Sequence, residues 1–204
     1  MSDTVGRVMV VDDDPDLREC YQLWLGESYD VLAVEDGDAA LDRLDDTVDL
    51  LVLDREMPGT NGPAVAAQVA SGPFDPGVVM ISGVEPDVDL LEMPVDEYLT
   101  KPVEADEVLS VVERVGAATQ FRSELQELFG LASRAATLET ALEADTLEDC
   151  PEYAQLLAQL REKRSVVDDV LDDVTSQESW ETTFETTLER PEPDRSPSSA
   201  GARQ

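Results

Sequence analysis

The chain has 204 residues, and 47 acidic residues against 14 lysines and arginines give it a formal net charge of -33. Its apolar content of 42% is sufficient for one well-buried core with a smaller appended unit. The charge disfavours unaided binding to DNA or to an anionic membrane surface, but it also fits a halophilic proteome, where salt screens this repulsion, so it does not exclude a nucleic-acid partner.

The first half of the chain alternates short apolar runs with segments of helical periodicity. The predicted strands are RVMVV, DVLAV, LLVLD, VVMIS and EYLT, and each is followed by a predicted helix. Continuous apolar character in VMVV, LLVL and VVMI indicates strands that are buried on both faces, as in a parallel sheet covered by helices. We therefore predict a five-stranded, parallel, doubly wound α/β domain over residues 1–117.

Acidic residues stand at the ends of two of these strands. Asp12, Asp13 and Asp14 follow the first strand, and Asp54 ends the third. Ligands bind at the carboxyl ends of strands in open α/β sheets, so we expect Asp12, Asp13 and Asp54 to converge there. Clustered carboxylates need a cation, and oxygen ligands suit Mg²⁺. Because acidic pairs occur elsewhere in this chain, an ordinary solvated pair explains the local pattern equally well.

Two further polar residues end strands at the same predicted edge. Ser82 closes the fourth strand, and Lys101 follows the fifth. A hydroxyl, an ammonium and a metal ion around one carboxylate can bind three phosphoryl oxygens, which is the electrostatic requirement of phosphoryl transfer. Taken singly, Ser82 is better explained as an ordinary strand-ending residue and Lys101 as a surface charge. Together with the aspartates, they point to Asp54 as a nucleophile.

The motifs VMVVDDDP, LLVLDREMPGTNG, VVMISG and EYLTKP, in this order and spacing, resemble the receiver domain of two-component response regulators, whose fold is flavodoxin-like. The resemblance covers about residues 6–117. It implies a phosphorelay in which a sensor histidine kinase phosphorylates Asp54 with Mg²⁺ as cofactor. It also implies a signalling protein whose phosphotransfer and autodephosphorylation are confined to Asp54, rather than an enzyme with an external substrate.

The resemblance assigns the remaining roles by position. The implied metal ligands are Asp13, Asp54 and the backbone carbonyl of Glu56, and Asp12 supports the metal through water or from behind these ligands. The implied contacts to phosphoryl oxygens are Ser82 and Lys101, and Tyr98 is the aromatic residue whose rotamer reports the state. The family's cis peptide bond corresponds to Lys101–Pro102.

One stretch departs from the receiver pattern. The chain between Gly83 and Glu97 is shorter than in most receivers and contains Pro86 and Pro94 around a brief apolar patch, DVDLLEM. We predict a short or irregular fourth helix. The phosphorylation chemistry is unaffected by this departure. The description of the output surface of other receivers, however, does not apply unchanged to this chain.

Residues 118–176 show no strand signals and carry two apolar stripes at helical spacing, the second after a break that ends at Pro151. This pattern predicts an antiparallel helical hairpin or a coiled-coil homodimer, although Lys163 and Arg164 interrupt the second stripe and disfavour a long zipper. The segment is similar to the HalX domain found after receivers in salt-loving microbes. That resemblance implies a signalling or transcription-related output.

The last part of the chain, residues 177–204, is rich in Ser, Thr, Pro and Glu, and we predict a largely disordered tail there. Trp180, Phe184 and Leu188 recur at a spacing of four, so a short docking helix is an alternative for that stretch.

Two kinds of output remain open. We favour an interaction or dimerisation module controlled by phosphorylation, because the second half shows no helix-turn-helix, Gly-rich P-loop or basic recognition helix. The alternative is a transcription regulator that contacts DNA through the helical segment. An enzyme acting on an external substrate is disfavoured, since no pairing of nucleophile and base lies outside the strand-end crevice.

The cellular location follows from three further observations. Cys20 and Cys150 are isolated and the chain has no histidine, which argues against a disulfide framework or a Cys/His metal centre. The N-terminal MSDTVGR lacks the pattern of an export signal, and no apolar run approaches the roughly 20 residues that span a bilayer. We expect a cytoplasmic protein with no membrane partner.

Overall fold

A computed structural model describes residues 6–176 of the chain. The strands are β1 (Arg7–Val11), β2 (Asp30–Val34), β3 (Leu50–Asp54), β4 (Gly77–Ser82) and β5 (Glu97–Thr100). The α-helices are α1 (Pro15–Leu25), α2 (Gly37–Arg43), α3 (Gly62–Ala70), α4 (Ala105–Ala141), α5 (Ala144–Glu148) and α6 (Pro151–Ser176). A 3-10 helix, Val88–Glu92, lies between β4 and β5.

The strands form one parallel sheet in the order β2-β1-β3-β4-β5, which confirms the predicted doubly wound fold. The register pairs Val11, the last residue of β1, with Leu53 of β3. Asp12 and Asp54, the next residue on each chain segment, therefore lie side by side at the ends of adjacent strands. Ser82 pairs with the last residue of β5, and Lys101 follows directly. The polar residues at the strand ends therefore share one edge of the sheet.

Apolar cores cover both faces of the sheet, as the uninterrupted apolar strands predict. All residues of β3 and β4 are buried. Successive residues of β1 enter opposite cores: Val8 and Val10 pack on one face, and Met9 and Val11 pack on the other. Burial of a side chain of this size contributes about 1.5–3 kcal/mol, so the sheet is a rigid platform for the side chains at its edge.

The connection between β4 and β5 contains the five-residue 3-10 helix, which confirms the prediction of a short or irregular fourth helix. Asp87 caps it, because its carboxylate accepts a hydrogen bond from the backbone N–H of Val88 at 2.6 Å. Pro86 and Pro94 flank this segment in the sequence, and each limits the helical conformation of the residue before it.

Helix α4 is 37 residues long and runs through the domain boundary predicted at residues 117 and 118. Its first part packs on the sheet through Val108, Val111, Val112 and Val115. The chain divides into two compact units, Met1–Ser133 and Arg134–Gln204. The predicted division into a receiver, a helical domain and a tail stays a prediction.

In the second unit, α6 begins at Pro151, as the sequence predicts. The hydroxyl of Tyr153 donates a hydrogen bond to Oε1 of Glu139 at 2.6 Å, so the chain reverses between the end of α4 and the start of α6. Leu147 and Val167 are buried. These contacts favour the hairpin, whereas the homodimer stays a prediction.

The predicted disordered tail, with its alternative docking helix at Trp180, Phe184 and Leu188, lies outside the described residues. Within residues 6–176, no helix carries an apolar stretch of the length and hydropathy that would cross a bilayer. Cys20 and Cys150 are free thiols, as their isolation in the sequence predicts.

Candidate functional site

Lys101 joins the two buried carboxylates at the carboxyl edge of the sheet. Its Nζ lies 2.9 Å from Oδ2 of Asp12 and 2.7 Å from Oδ1 of Asp54. The side chains of Asp12 and Asp54 are only 3% and 7% exposed, so neither carboxylate is screened by much water. The structure therefore brings together three of the predicted site residues, and two negative charges share one positive charge.

The other oxygen of each carboxylate accepts a backbone hydrogen bond. Oδ2 of Asp54 accepts from the N–H of Glu56 at 2.8 Å, and Oδ1 of Asp12 accepts from the N–H of Asp14 at 2.9 Å. Buried carboxylates are costly without such partners, because the desolvated charge is then uncompensated. These bonds fix the orientation of both side chains relative to Lys101.

The environment shifts the protonation of this pair. Burial raises the pKa of Asp54, and the hydrogen bond and charge of Lys101 offset only part of that effect. Burial also acts to lower the pKa of Lys101, but hydrogen bonds to Asp54 and Asp12 outweigh it and raise that pKa. Lys101 thus keeps its proton, and the oxygen of Asp54 is more basic than an ordinary aspartate oxygen.

The three consecutive aspartates have three different environments. Asp12 is buried against Lys101, whereas Asp13 is exposed. Asp14 caps α1, because its Oδ1 accepts from the backbone N–H groups of Asp16 and Leu17. Across residues 6–176, no three acidic, histidine or cysteine side chains are grouped as a metal site would require. The predicted metal ligands Asp13, Asp54 and the Glu56 carbonyl, with Asp12 behind them, stay a prediction.

Ser82 is fully buried at the end of β4. Its Oγ accepts a hydrogen bond from the N–H of Val84 at 3.0 Å, and its carbonyl accepts from the N–H of Lys101 at 2.7 Å. The peptide bond between Lys101 and Pro102 is cis, as the resemblance implies. Ser82 and Lys101 are therefore tied together by the backbone beside Asp54.

Tyr98 is half-buried and packs against the core that also contains Met57 and Met80. Its hydroxyl donates to the carbonyl of Val84 at 2.7 Å and accepts from Nη1 of Arg55 at 3.4 Å. The predicted reporter residue is thus connected to Ser82 through the backbone of Val84.

Gly62 explains part of the MPGTNG motif. A Cβ at this position would lie 2.3 Å from the carbonyl oxygen of Asp54, which no side chain tolerates without a backbone shift. The N–H of Gly62 donates to the carbonyl of Arg55 at 3.0 Å. Only glycine allows α3 to begin this close to the end of β3.

Sequence reasoning missed Arg18 and Arg55. Nη1 of Arg18 donates to the carbonyl of Asp12 at 2.5 Å, and Arg55 forms an ion pair with Asp89 of the 3-10 helix. The available signal was the scarcity of basic residues: the chain contains only 14 lysines and arginines, and these two lie near the acidic motifs.

A cavity of about 590 Å³ lies at the opposite edge of the sheet, where Gly6, Asp49 and Phe74 are among its lining residues. Ligands of open α/β sheets bind at the carboxyl ends of the strands, and this cavity lies at the amino ends. The chemistry is therefore expected at the edge that carries Asp54.

Comparison with protein families matches residues 8–113 to the response regulator receiver domain and residues 118–185 to the HalX domain. A candidate transcriptional regulator of Haloferax volcanii is 41% identical to this chain over 161 residues, which are 78% of this chain and 27% of that protein. The transcriptional regulatory protein CpxR of Escherichia coli is 32% identical over 115 residues, 54% of this chain and 49% of that protein. This chain thus spans about a quarter to a half of these relatives.

Solved structures show the same fold. A CheY-like receiver domain from Methanospirillum hungatei superposes with a TM-score of 0.53 at 19% identity and covers 57% of this chain and 98% of its own. The BeF3-activated DrrB receiver domain gives a TM-score of 0.52 at 23% identity and covers 55% of this chain and 97% of its own. At these identities the similarity concerns the fold alone.

Proposed function

The chain belongs to the response-regulator receiver family, with a HalX domain after the receiver, and on that premise we propose that it is the phosphoacceptor of a cytoplasmic two-component phosphorelay. The observation that carries the proposal is the position of Lys101, whose Nζ contacts Asp54 at 2.7 Å and Asp12 at 2.9 Å. A buried carboxylate beside a fixed ammonium can accept a phosphoryl group whose charge the ammonium then stabilises.

In the proposed reaction, a carboxylate oxygen of Asp54 forms a bond to phosphorus. The phosphorus–nitrogen bond of a phosphohistidine on a sensor kinase breaks, and the histidine keeps that electron pair. Lys101 stabilises one phosphoryl oxygen by its charge, and the Ser82 hydroxyl donates to another. Water later attacks the phosphorus atom, the bond between phosphorus and the Asp54 oxygen breaks, and inorganic phosphate leaves, so Asp54 is regenerated and the chemistry is confined to this residue.

The residues at this edge suit Mg²⁺ by their chemistry, since the atoms proposed as metal ligands are all oxygens. Asp12 and Asp54 each accept two hydrogen bonds from the residues described, whereas a carboxylate has about four lone-pair sites. Asp13, Asp54 and the Glu56 carbonyl would hold the ion, with Asp12 acting through water. When bound, Mg²⁺ supplies charge neutralisation for the phosphoryl oxygens.

The proposed switch begins at Ser82. A phosphoryl oxygen on Asp54 draws the Ser82 hydroxyl toward it, and the Val84 N–H that now bonds to that hydroxyl must follow or find another acceptor. The carbonyl of Val84 accepts from Tyr98, so the rearrangement reaches β5. Tyr98 thereby reports the state of Asp54.

For the output, we favour a homodimer or another protein interaction made by the helical unit under the control of Asp54. A second candidate is transcriptional control through DNA contact. It is favoured by the Haloferax volcanii relative, whose match of 161 residues is longer than the receiver match and whose name describes a regulator of transcription.

Intact-protein mass spectrometry after incubation with Mg²⁺ and acetyl phosphate tests the proposal. The wild-type chain is expected to gain one phosphoryl group as a base-labile adduct, and Asp54→Asn is expected to gain none. Asp46→Asn is the matched control, because Asp46 is an exposed turn residue before β3, at the end of the sheet opposite Asp54, and it is expected to label like the wild type. Equal labelling of Asp54→Asn refutes the assignment.

A further inference from the structure

Arg55 follows the proposed phosphoacceptor directly, but its side chain contacts a different part of the molecule. Nη1 lies 3.4 Å from the hydroxyl of Tyr98, and Nη2 forms an ion pair with Oδ2 of Asp89 at 2.5 Å. Asp89 belongs to the 3-10 helix, and Tyr98 belongs to β5. One guanidinium therefore joins three segments that are distant in sequence.

The guanidinium of Arg55 is more covered than that of an ordinary surface ion pair, although its partner Asp89 faces water. The side chain of Arg55 is 17% exposed and that of Asp89 is 47% exposed, whereas the exposed fractions of Arg114 and Glu97 in the Arg114–Glu97 pair are 58% and 36%. Salt screens charges that face water more than charges that are covered, so we expect the guanidinium of Arg55 to be screened less than that of Arg114.

A continuous set of hydrogen bonds leads from Arg55 to the phosphorylation site. Arg55 donates to the Tyr98 hydroxyl, and that hydroxyl donates to the carbonyl of Val84. The N–H of Val84 donates to Oγ of Ser82. Because the Tyr98 hydroxyl uses both its acceptor and its donor in this set, its position depends on Arg55 as well as on Val84.

At its other end, Arg55 holds a segment that has little stability of its own. The 3-10 helix has five residues, and none of them is buried. Val88 and Leu91 in this helix are 76% and 88% exposed. A helix this short depends on tertiary contacts, so we expect the pair between Arg55 and Asp89 to contribute to where these two apolar side chains are presented.

We propose that Arg55 is a positioning residue of the switch: it fixes Tyr98 and the 3-10 helix relative to each other, and thereby connects Ser82 to the apolar surface formed by Val88 and Leu91. The inference rests on the proposed function for the signal that enters at Asp54. The structural connection itself is independent of phosphorylation. Loss of Arg55 loosens the 3-10 helix and separates it from events at Asp54, while Asp54 still accepts a phosphoryl group.

Hydrogen exchange of the full-length chain tests this inference in high salt, with and without Mg²⁺ and acetyl phosphate. In Arg55→Ala, exchange across Val88–Glu92 is expected to be roughly threefold to tenfold faster than in the wild type before phosphorylation. The change that phosphorylation causes in this segment is expected to disappear. Arg114→Ala is the matched control, because it removes an arginine ion pair to β5 without touching Tyr98, and its exchange in this segment should equal that of the wild type.

Arg55→Lys and Asp89→Asn separate a specific connection from general unfolding. Lysine keeps the charge but cannot direct two donors at Tyr98 and Asp89 at once. Arg55→Lys is therefore expected to retain only part of the protection of Val88–Glu92 from hydrogen exchange. If exchange across Val88–Glu92 in both variants equals that of Arg114→Ala, the inference is wrong. The exchange rates measured without acetyl phosphate test the role of Arg55 alone, because no phosphoryl group is transferred in that experiment. A failure of the proposed function would be seen separately, as a wild-type chain that is not labelled by acetyl phosphate.

Discussion

Nζ of Lys101 lies 2.7 Å from Oδ1 of Asp54, and the same atom contacts Oδ2 of Asp12 at 2.9 Å. Lys101 follows β5, Asp54 ends β3 and Asp12 follows β1, so the central parallel strands present both acids to one cation. The contact stabilises two buried charges, and it places a positive charge where a phosphoryl oxygen would develop negative charge. Stability and function at this edge are therefore coupled.

The first prediction concerns Lys101→Ala. Removing the ammonium leaves the two buried carboxylates uncompensated, and we expect a loss of about 1–3 kcal/mol in the free energy of unfolding. Arg114→Ala removes a partner of an exposed pair and should cost less than about 1 kcal/mol. Urea unfolding at pH 7 gives both values, and equal losses would contradict the role of Lys101.

Mg²⁺ binding should persist in Lys101→Ala, whereas the response to phosphorylation should weaken.

The second prediction concerns two glycines. Gly62→Ala places a Cβ 2.3 Å from the carbonyl of Asp54, so we expect a destabilisation of about 1–3 kcal/mol and slower labelling of Asp54. Gly116→Ala makes the same chemical change in α4, where a Cβ meets no atom within 4 Å, and should stabilise by about 0.5–1 kcal/mol. Urea unfolding should thus show opposite signs. A neutral Gly62→Ala would contradict the close packing of α3 on Asp54.

The third prediction concerns Tyr21, which is 1% exposed and whose hydroxyl has no hydrogen-bond partner in the described part of the chain. Phenylalanine removes the cost of a buried, unpaired hydroxyl and keeps the ring that packs edge-on against Trp24. We expect Tyr21→Phe to be as stable as the wild type or more stable by about 1 kcal/mol at pH 7. A loss of more than about 1 kcal/mol in thermal or urea unfolding would show that the hydroxyl has a stabilising partner.

The fourth prediction concerns alkaline pH. Burial raises the pKa of Tyr21 to about 12, above its ordinary value of 10.0. The folded state therefore holds the Tyr21 proton more tightly than the unfolded state does. The stability linked to this proton is complete below about pH 10 and is lost as the pH rises toward 12. Unfolding free energies measured from pH 8 to pH 11.5 should fall more steeply for the wild type than for Tyr21→Phe. Parallel slopes would contradict this burial effect.

The fifth prediction concerns the helical unit. A chain truncated after Ser133 keeps the first compact unit and should still label at Asp54. If the helical unit mediates a phosphorylation-dependent homodimer, light scattering in high salt should show a mass increase on phosphorylation for the full chain and none for the truncated chain. An unchanged mass of the full chain would contradict the homodimer and leave another protein interaction or the transcription-related output as the candidates.

Much of the site could be predicted because it depends on strand ends. Asp12, Asp54, Ser82 and Lys101 each end or follow an apolar strand, and a parallel sheet brings such positions to one edge. Two prolines around a brief apolar patch similarly predict the short helix between β4 and β5. In both cases, a local pattern is sufficient to place the residues.

Other features depend on contacts that no local pattern encodes. Arg55 meets Tyr98 across 43 positions and Asp89 across 34, and these contacts exist only once the sheet has formed. Asp14 is a different case: an aspartate before Pro15 is a local helix-capping signal, and its side chain caps α1 in the structure. The continuity of α4 was missed because the family resemblance ends near residue 117, where nothing in the sequence breaks a helix.

The central claim is that Asp54, rather than a neighbouring acid at the same edge, accepts the phosphoryl group. Peptide mapping by tandem mass spectrometry of the wild-type chain, after incubation with Mg²⁺ and acetyl phosphate, tests it most directly. We predict that the added phosphoryl group lies on Asp54 and that the peptide containing Asp12, Asp13 and Asp14 is unmodified. A phosphoryl group on that peptide, with Asp54 unmodified, would contradict the account.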